Sequence, residues 1–274
     1  MSNDEAFLCI LNSLQLEKED GRKLLDSRDF IRKFLLGTFS ANYGSRLGVC
    51  FYTQGSFAMN TIIKNPQQEI EYDLDDVLML KLPENGNSGS YLDEMLALRE
   101  FVFHALKLLK TASGDTIKCV VNGDKCLKVI YNNYKIDVPL IGERSGTQEI
   151  LVENHLEETR SRSFIGYFSE RTSTDNFRKL IKIFKIISKL DGNSSLSSLS
   201  ITVILQEVLK GTKLNGKIHE LFQYTLNRLI DRFNNDLYIY SPVLENTRSL
   251  DSLQKSKNFL KSITEIKNND YKIP

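Results

Sequence analysis

The 274-residue chain has no tryptophan, only five prolines and four cysteines, and almost no net charge. Cys9, Cys50, Cys119 and Cys126 include no CxxC pair, and His104, His155 and His219 lie far from them in sequence. That spacing speaks against a zinc site or a disulfide framework and for reduced thiols in a cytoplasmic protein. No run approaches 18 uninterrupted apolar residues, so no membrane helix is expected. The opening MSNDEAFLCILNSLQLEKED lacks a basic segment followed by a long apolar one, which speaks against a signal peptide. With a formal charge of +1, nothing global draws the chain to nucleic acid or anionic lipid, and any such partner would need a local basic patch. Internal repeats and low-complexity tracts are absent as well.

What remains is ordinary globular composition, 41% hydrophobic and 26% charged, in a chain long enough for one large domain or two associated lobes. Apolar spacing predicts helix over 4–39, capped by Asn3 or Asp4 and broken or kinked near Gly21. Strands are expected over 46–53, 69–82, 126–131 and 134–141, the last two joined through Asn132-Asn133. An amphipathic helix is expected over 91–110, with His104 half-buried in it. Residues 143–173 read as polar loop, containing Arg144, Arg160, Arg162, Arg171, Tyr167 and Phe168 as a possible binding rim or a hydrated surface. From Asn176 the pattern is helical, over 177–189, 199–210, 218–233 and 249–261. The expected fold class is α+β, with a division at 1–145 and 146–274.

The chemistry concentrates in QGSFAMNTIIKNPQQEIEYDLDDVLML, residues 54–80. On a strand, Asp73 and Asp75 share a face while Leu74 and Asp76 share the other. Strand propensity disfavours Asp, so three in four positions require a reason. Two carboxylates two residues apart on one face can share a hard divalent cation, and without one they repel. Asp137 stands alone in the apolar stretch Tyr134 to Leu140; if its strand neighbours the Asp73/Asp75 strand, three acids converge. All-oxygen ligands favour Mg²⁺ or Mn²⁺, and such a set suits phosphoryl transfer with two ions. Gly55 lets backbone approach a phosphate closely, and Ser56 adds a hydroxyl, so Gln54-Gly55-Ser56 reads as the phosphate-binding turn. Neither Gly-Ser nor DxD is informative alone. Together with Thr61 and a later lone strand Asp, they form a specific constellation.

These segments, GSFAMNTII, EYDLDDVLML and YKIDVPLI, resemble the DNA polymerase β-like nucleotidyltransferase superfamily, and within it the bacterial cGAS/DncV-like nucleotidyltransferases (CD-NTases) of CBASS anti-phage signalling. The resemblance implies a nucleotidyltransferase lobe, a mixed sheet with flanking helices and a long N-terminal helix. It adds a helical C-terminal lobe, with the active site in the cleft between them. It implies catalytic and metal-binding roles for Asp73, Asp75 and Asp137. Nucleotide contacts would come from Gln54, Gly55 and Ser56, from Lys185 with Lys182 as the alternative, and from Ser198. Ser241 to Asn246 resembles a late family segment. Asp76, where the family usually has an apolar or small residue, faces away and is not expected to be a ligand. The missing tryptophan and the sequence Ile186-Ile187-Ser188 leave the stacking partner of a base unassigned.

The implied reaction joins nucleoside triphosphates into a cyclic di- or trinucleotide second messenger, releasing pyrophosphate. The product would activate a separate effector protein, with no membrane and no duplex DNA involved and a monomer favoured. Alternatives are a transferase acting on RNA ends or on a protein, or a catalytically silent nucleotide-binding protein. The turn GSFAMN, without the Arg of small antitoxin-type members, and the intact acids argue against these.

Overall fold

The computed structural model describes residues 2–235 apart from 45, 65–69, 71, 83–87, 113–115, 160–173 and 191–196. The expected helix at 249–261, the segment Ser241 to Asn246, and Arg160, Arg162, Arg171, Tyr167 and Phe168 lie outside the described residues. The chain forms two compact units: 16–169, and a second built from 1–15 with 170–274.

The 16–169 unit is a mixed sheet covered by helices. Helix α2 (Lys18–Tyr43) precedes β1 (Gly48–Gln54), a one-turn helix α3 (Gly55–Ala58) and β2 (Tyr72–Lys81). Then come α4 (Ser88–Ala112), β3 (Cys119–Asn122), β4 (Leu127–Ile130), β5 (Tyr134–Val138), β6 (Leu140–Arg144), β7 (Thr147–Val152) and β8 (His155–Glu158). The sheet runs β3-β4-β5-β2-β6-β7-β8, with β1 paired to β2 as well. Strand β2 is the hub. It pairs antiparallel with β1, parallel with β5 along its first half, and parallel with β6 along its second.

Pro139 explains why the predicted single strand 134–141 is two. Lacking an N–H, it cannot donate to the ladder, so β5 ends at Val138 and β6 begins at Leu140. Its carbonyl still accepts from the Leu78 amide at 3.0 Å, which keeps β2 paired across the interruption. The tight turn at Asn132-Asn133 is present, closed by Tyr131 N–H to the Tyr134 carbonyl at 2.9 Å.

Alternation along β2 sorts the core. Tyr72, Leu74, Leu78 and Leu80 face α2 and α4, packing with Leu24, Ile31, Leu35, Met95, Val102 and Leu106. The opposite face carries Asp73 and Asp75, then Val77 and Met79, which join Ile141 in a small separate cluster. One face of the sheet is therefore structural over its whole length. The other changes from apolar to acidic along a single strand.

The described residues of the second unit form four helices: α1 (Asn3–Leu14), α5 (Asp175–Leu190), α6 (Ser198–Val208) and α7 (Ile218–Asn235). Phe222 centres it, with ring centroids 5.0 Å from Phe7 and 5.2 Å from Phe184. Phe222→Leu should cost about 1.5 kcal/mol in urea unfolding, because a fully buried ring loses part of its packing.

Several expectations are corrected. The helical segment breaks at residues 15–17 rather than at Gly21, which lies inside α2 beside the Leu16 side chain. Ser2, not Asn3 or Asp4, caps α1 in a reciprocal capping box with Glu5. Asp4 instead accepts from the His219 amide at 3.2 Å, tying α1 to α7. Residues 147–158, read as loop, continue the sheet beyond position 145 as β7 and β8. His104 is largely exposed, near Glu100, rather than half-buried.

Candidate active site

The pairing register places one residue from each of three strands in a row: Gln54 on β1 opposite Asp75 on β2, opposite Asp137 on β5. Lys128 of β4 extends the row. Asp73 lies one side-chain repeat along the same face of β2, opposite Lys135. The parallel pairing of β2 with β5, which sequence parity alone does not dictate, is what brings Asp137 beside Asp75.

The three acids sit in different environments. Asp73 is exposed, Asp75 half-buried and Asp137 buried at 8% exposure. Burial pushes the Asp137 carboxyl above its ordinary range, although the Lys135 ammonium donates to its Oδ2. Asp137 Oδ1 is buried without a hydrogen-bond partner, as is Gln54 Oε1 in the same row. Burial opposes the Lys135 charge, but Asp137 and then Asp73 outweigh it and raise that pKa. Cys126, near Asp137, is held as a neutral thiol, its pKa pushed up to about 12 chiefly by burial. Among the described residues, no three His, Cys, Asp or Glu side chains already converge as a metal-ligand group. The acids are neighbours in register, with Asp137 turned in part toward Lys135.

Gly55 meets the acids directly. Its φ is +68°, a left-handed conformation that favours glycine, and a Cβ there would collide with the Asp75 carboxylate. Gly55→Ala should therefore displace Asp75. Any activity that depends on the placement of Asp75 should fall about 100-fold by steady-state kinetics, with the far-UV spectrum of the protein retained. The predicted turn is here the start of α3, whose single turn offers little aligned dipole. Ser56 is part-buried, and its carbonyl accepts from the Thr61 amide at 2.8 Å.

Asp76 faces α2, as strand parity requires, but it is no bystander. It is 1% exposed, accepts from Arg32 Nε at 2.8 Å and from Arg32 Nη2, and takes the Thr53 hydroxyl proton at 3.1 Å. Thr53 in turn accepts from Arg28 and Arg32, each at 3.1 Å. Sequence reading missed Arg32 and Lys135. An isolated Asp on the core-facing side of β2 was the available signal for a buried cationic partner.

The remaining predicted contacts belong to the helical unit. Lys182 and Lys185 lie on α5. Lys185 is 2% exposed, whereas Lys182 is half-buried and burial lowers its pKa. Ser198 opens α6 and is exposed, while Ser197 provides the cap, accepting from the Ser200 amide at 3.0 Å.

Residues 49–141 match the family described as the cyclic GMP-AMP synthase DncV-like nucleotidyltransferase domain. No curated protein matches the chain by sequence. Among solved structures, CdnC of E. coli MS115-1 in its ATP complex superposes at a TM-score of 0.73 with 13% identity, covering 97% of this chain and 91% of that one. The CD-NTase CdnG of Bradyrhizobium diazoefficiens, in complex with GTP, gives 0.72 at 13% identity, covering 97% and 91%. DncV of Vibrio cholerae, a cyclic AMP-GMP synthase, gives 0.68 at 13%, covering 96% and 89%. At these identities the superpositions establish the fold, and it is the fold that the mixed sheet and helices predicted. The Gly-Ser turn, the DxD strand and the Asp137 strand all fall inside the matched segment, so the likeness to the cGAS/DncV-like nucleotidyltransferase domain covers the candidate site itself.

Proposed function

We propose that the chain joins nucleoside triphosphates into a cyclic di- or trinucleotide, releasing pyrophosphate at each bond formed. The observation that carries this reading is the row of Gln54, Asp75 and Asp137 across three strands, with Asp73 beside it and Gly55 against Asp75. The similar structures, an ATP complex of CdnC, a GTP complex of CdnG and the cyclic AMP-GMP synthase DncV, support the choice of substrate.

The acids fit one or two Mg²⁺ or Mn²⁺ ions. The donors are all oxygen, and the unpartnered, buried Asp137 Oδ1 is an acceptor in need of a cation or proton. When bound, such ions make a hydroxyl more acidic and neutralise phosphate charge. The chain's own part is positional. Asp73, Asp75 and Asp137 would hold the ions, and Gly55-Ser56 would admit the triphosphate against Asp75. Lys185 or Lys182, with Ser198, would contact the donor phosphates. Attack of a ribose hydroxyl on an α-phosphate makes one P–O bond and breaks the bond to pyrophosphate, and a second round closes the ring.

On this reading the product acts on a separate effector in cytoplasmic anti-phage defence. No described helix is long and apolar enough to cross a membrane. The test is incubation with all four NTPs and Mg²⁺ or Mn²⁺, followed by alkaline phosphatase and mass spectrometry. A phosphatase-resistant cyclic product, lost with Asp73→Ala/Asp75→Ala, is expected. Label transferred to RNA or protein, or no difference between that variant and wild type, would overturn the reading.

A further inference from the structure

Lys135 occupies the fourth corner of the acid cluster. Strand β5 alternates Tyr134, Ile136 and Val138 toward the helices, where Ile136 and Val138 are core and Tyr134 meets Ser27 of α2 at 2.8 Å. Lys135 and Asp137 are thereby turned to the acidic face. In register, Asp73 stands opposite Lys135, and Asp75 opposite Asp137. Neighbouring strands lie about 4.8 Å apart and same-face residues about 6.7 Å apart. One ammonium is thus bonded to Asp137 and influenced by Asp73 across the strand pair, with Asp75 on the diagonal. It donates to Asp137 Oδ2, and the two side chains are only 23% and 12% exposed, so solvent screens the pair weakly. A long lysine could have reached bulk water; here it is folded onto the cluster instead.

We propose that Lys135 is a tethered counter-ion, occupying the cation position of the acid cluster in the metal-free enzyme and giving up Asp137 when a divalent ion enters. This rests on the reading that Asp73, Asp75 and Asp137 hold such an ion. The Lys135 ammonium lowers the attraction of the three acids for a bare ion in two ways: by repelling it and by competing for Asp137 Oδ2. Once displaced, the ammonium needs a new anion, and the phosphates of an arriving metal–nucleotide complex provide one. Lys135 thereby favours metal that arrives with its substrate over metal alone. In the metal-free protein it offsets the mutual repulsion of the carboxylates.

The test is Mn²⁺ binding to the full chain, followed by electron paramagnetic resonance of the free ion, with and without a non-hydrolysable NTP analogue. Wild type should bind Mn²⁺ weakly alone and at least 10-fold more tightly with the analogue. Lys135→Met should bind the bare ion about 10-fold more tightly than wild type, so that the analogue helps it less. Without metal, Lys135→Met should melt below wild type and be restored by Mn²⁺, while Lys135→Arg should retain the wild-type weakness for the bare ion. Lys128→Met, which removes a charge from the same row without removing this hydrogen bond, should change bare-ion affinity much less. Lys135→Met binding bare Mn²⁺ no more tightly than wild type would overturn the counter-ion role alone. No Mn²⁺ binding by wild type with the analogue, or binding untouched by Asp75→Asn, would overturn the metal reading and this proposal with it.

Discussion

Asp75→Asn should reduce nucleotide transfer by on the order of 10³-fold while leaving the metal-free protein as stable as wild type or slightly more so. Asp75 is the centre of the site by register, with Gln54 on one side, Asp137 on the other and Gly55 pressed against its carboxylate. Asn keeps the side chain's shape and its fit beneath Gly55, and removes only the charge. Any loss is therefore electrostatic rather than steric. The stability arm follows from the same crowding: Asp73 and Asp137 repel Asp75 in the metal-free protein, so neutralising it relieves repulsion. Activity loss should appear in kcat under saturating substrate, with the thermal midpoint falling by no more than about 2 °C. A large fall in midpoint would show instead that Asp75 is a structural acid.

Arg32→Met should cost about 3 kcal/mol of folding stability, read as a shift in the urea midpoint. The cost arises less from a lost attraction than from what is left behind. Asp76 is 1% exposed, and Arg32 supplies two of its three side-chain hydrogen bonds, the Thr53 hydroxyl the third. Removing the guanidinium strands a buried carboxylate that water cannot reach. Methionine keeps most of the volume and the contact with α2's neighbours, separating this effect from a cavity. The double variant Arg32→Met/Asp76→Leu should recover most of the loss, because no buried charge then remains. If Arg32→Met costs under about 0.5 kcal/mol, the pair is behaving like a surface ion pair. Since Asp76 adjoins Asp75, the single variant should also lower activity, through movement of β2 against α2.

The alternation Asp-Leu-Asp-Asp was enough to assign sides to Asp73, Asp75 and Asp76, because the side-chain period of a strand is fixed by covalent geometry. What Asp76 does on its side was not legible. Its partner lies on a helix 44 residues earlier, and nothing local marks Arg32 among the other bases of α2. Asp137 was recognisable as a lone acid in an apolar strand, yet its adjacency to Asp75 is a parallel pairing that only the sheet decides. Lys135 was overlooked although it stands two residues from Asp137, since a lysine in a short strand is ordinarily a solvated one. The strands β7 and β8 were hidden by polar composition at the sheet edge, where one face needs no burial. The Ser145-Gly146 pair, with φ of 51° and 81°, was the hairpin signal available there. Lys182, Lys185 and Ser198 remain readings of sequence, since they belong to the helical unit.

Helix α1 packs with α5 and α7, although residues 16–169 separate it from them in sequence. During synthesis, Phe7 emerges long before Phe222, the ring it packs against. The intervening unit can fold meanwhile, as the described residues of its main core all lie within 16–169. Assembly is thus staged by connectivity: the sheet with its acids can form early, and the helical unit closes only when α1 is met by α5 and α7. A truncation that removes α1 would consequently destabilise α5 and α7, made more than 160 residues later.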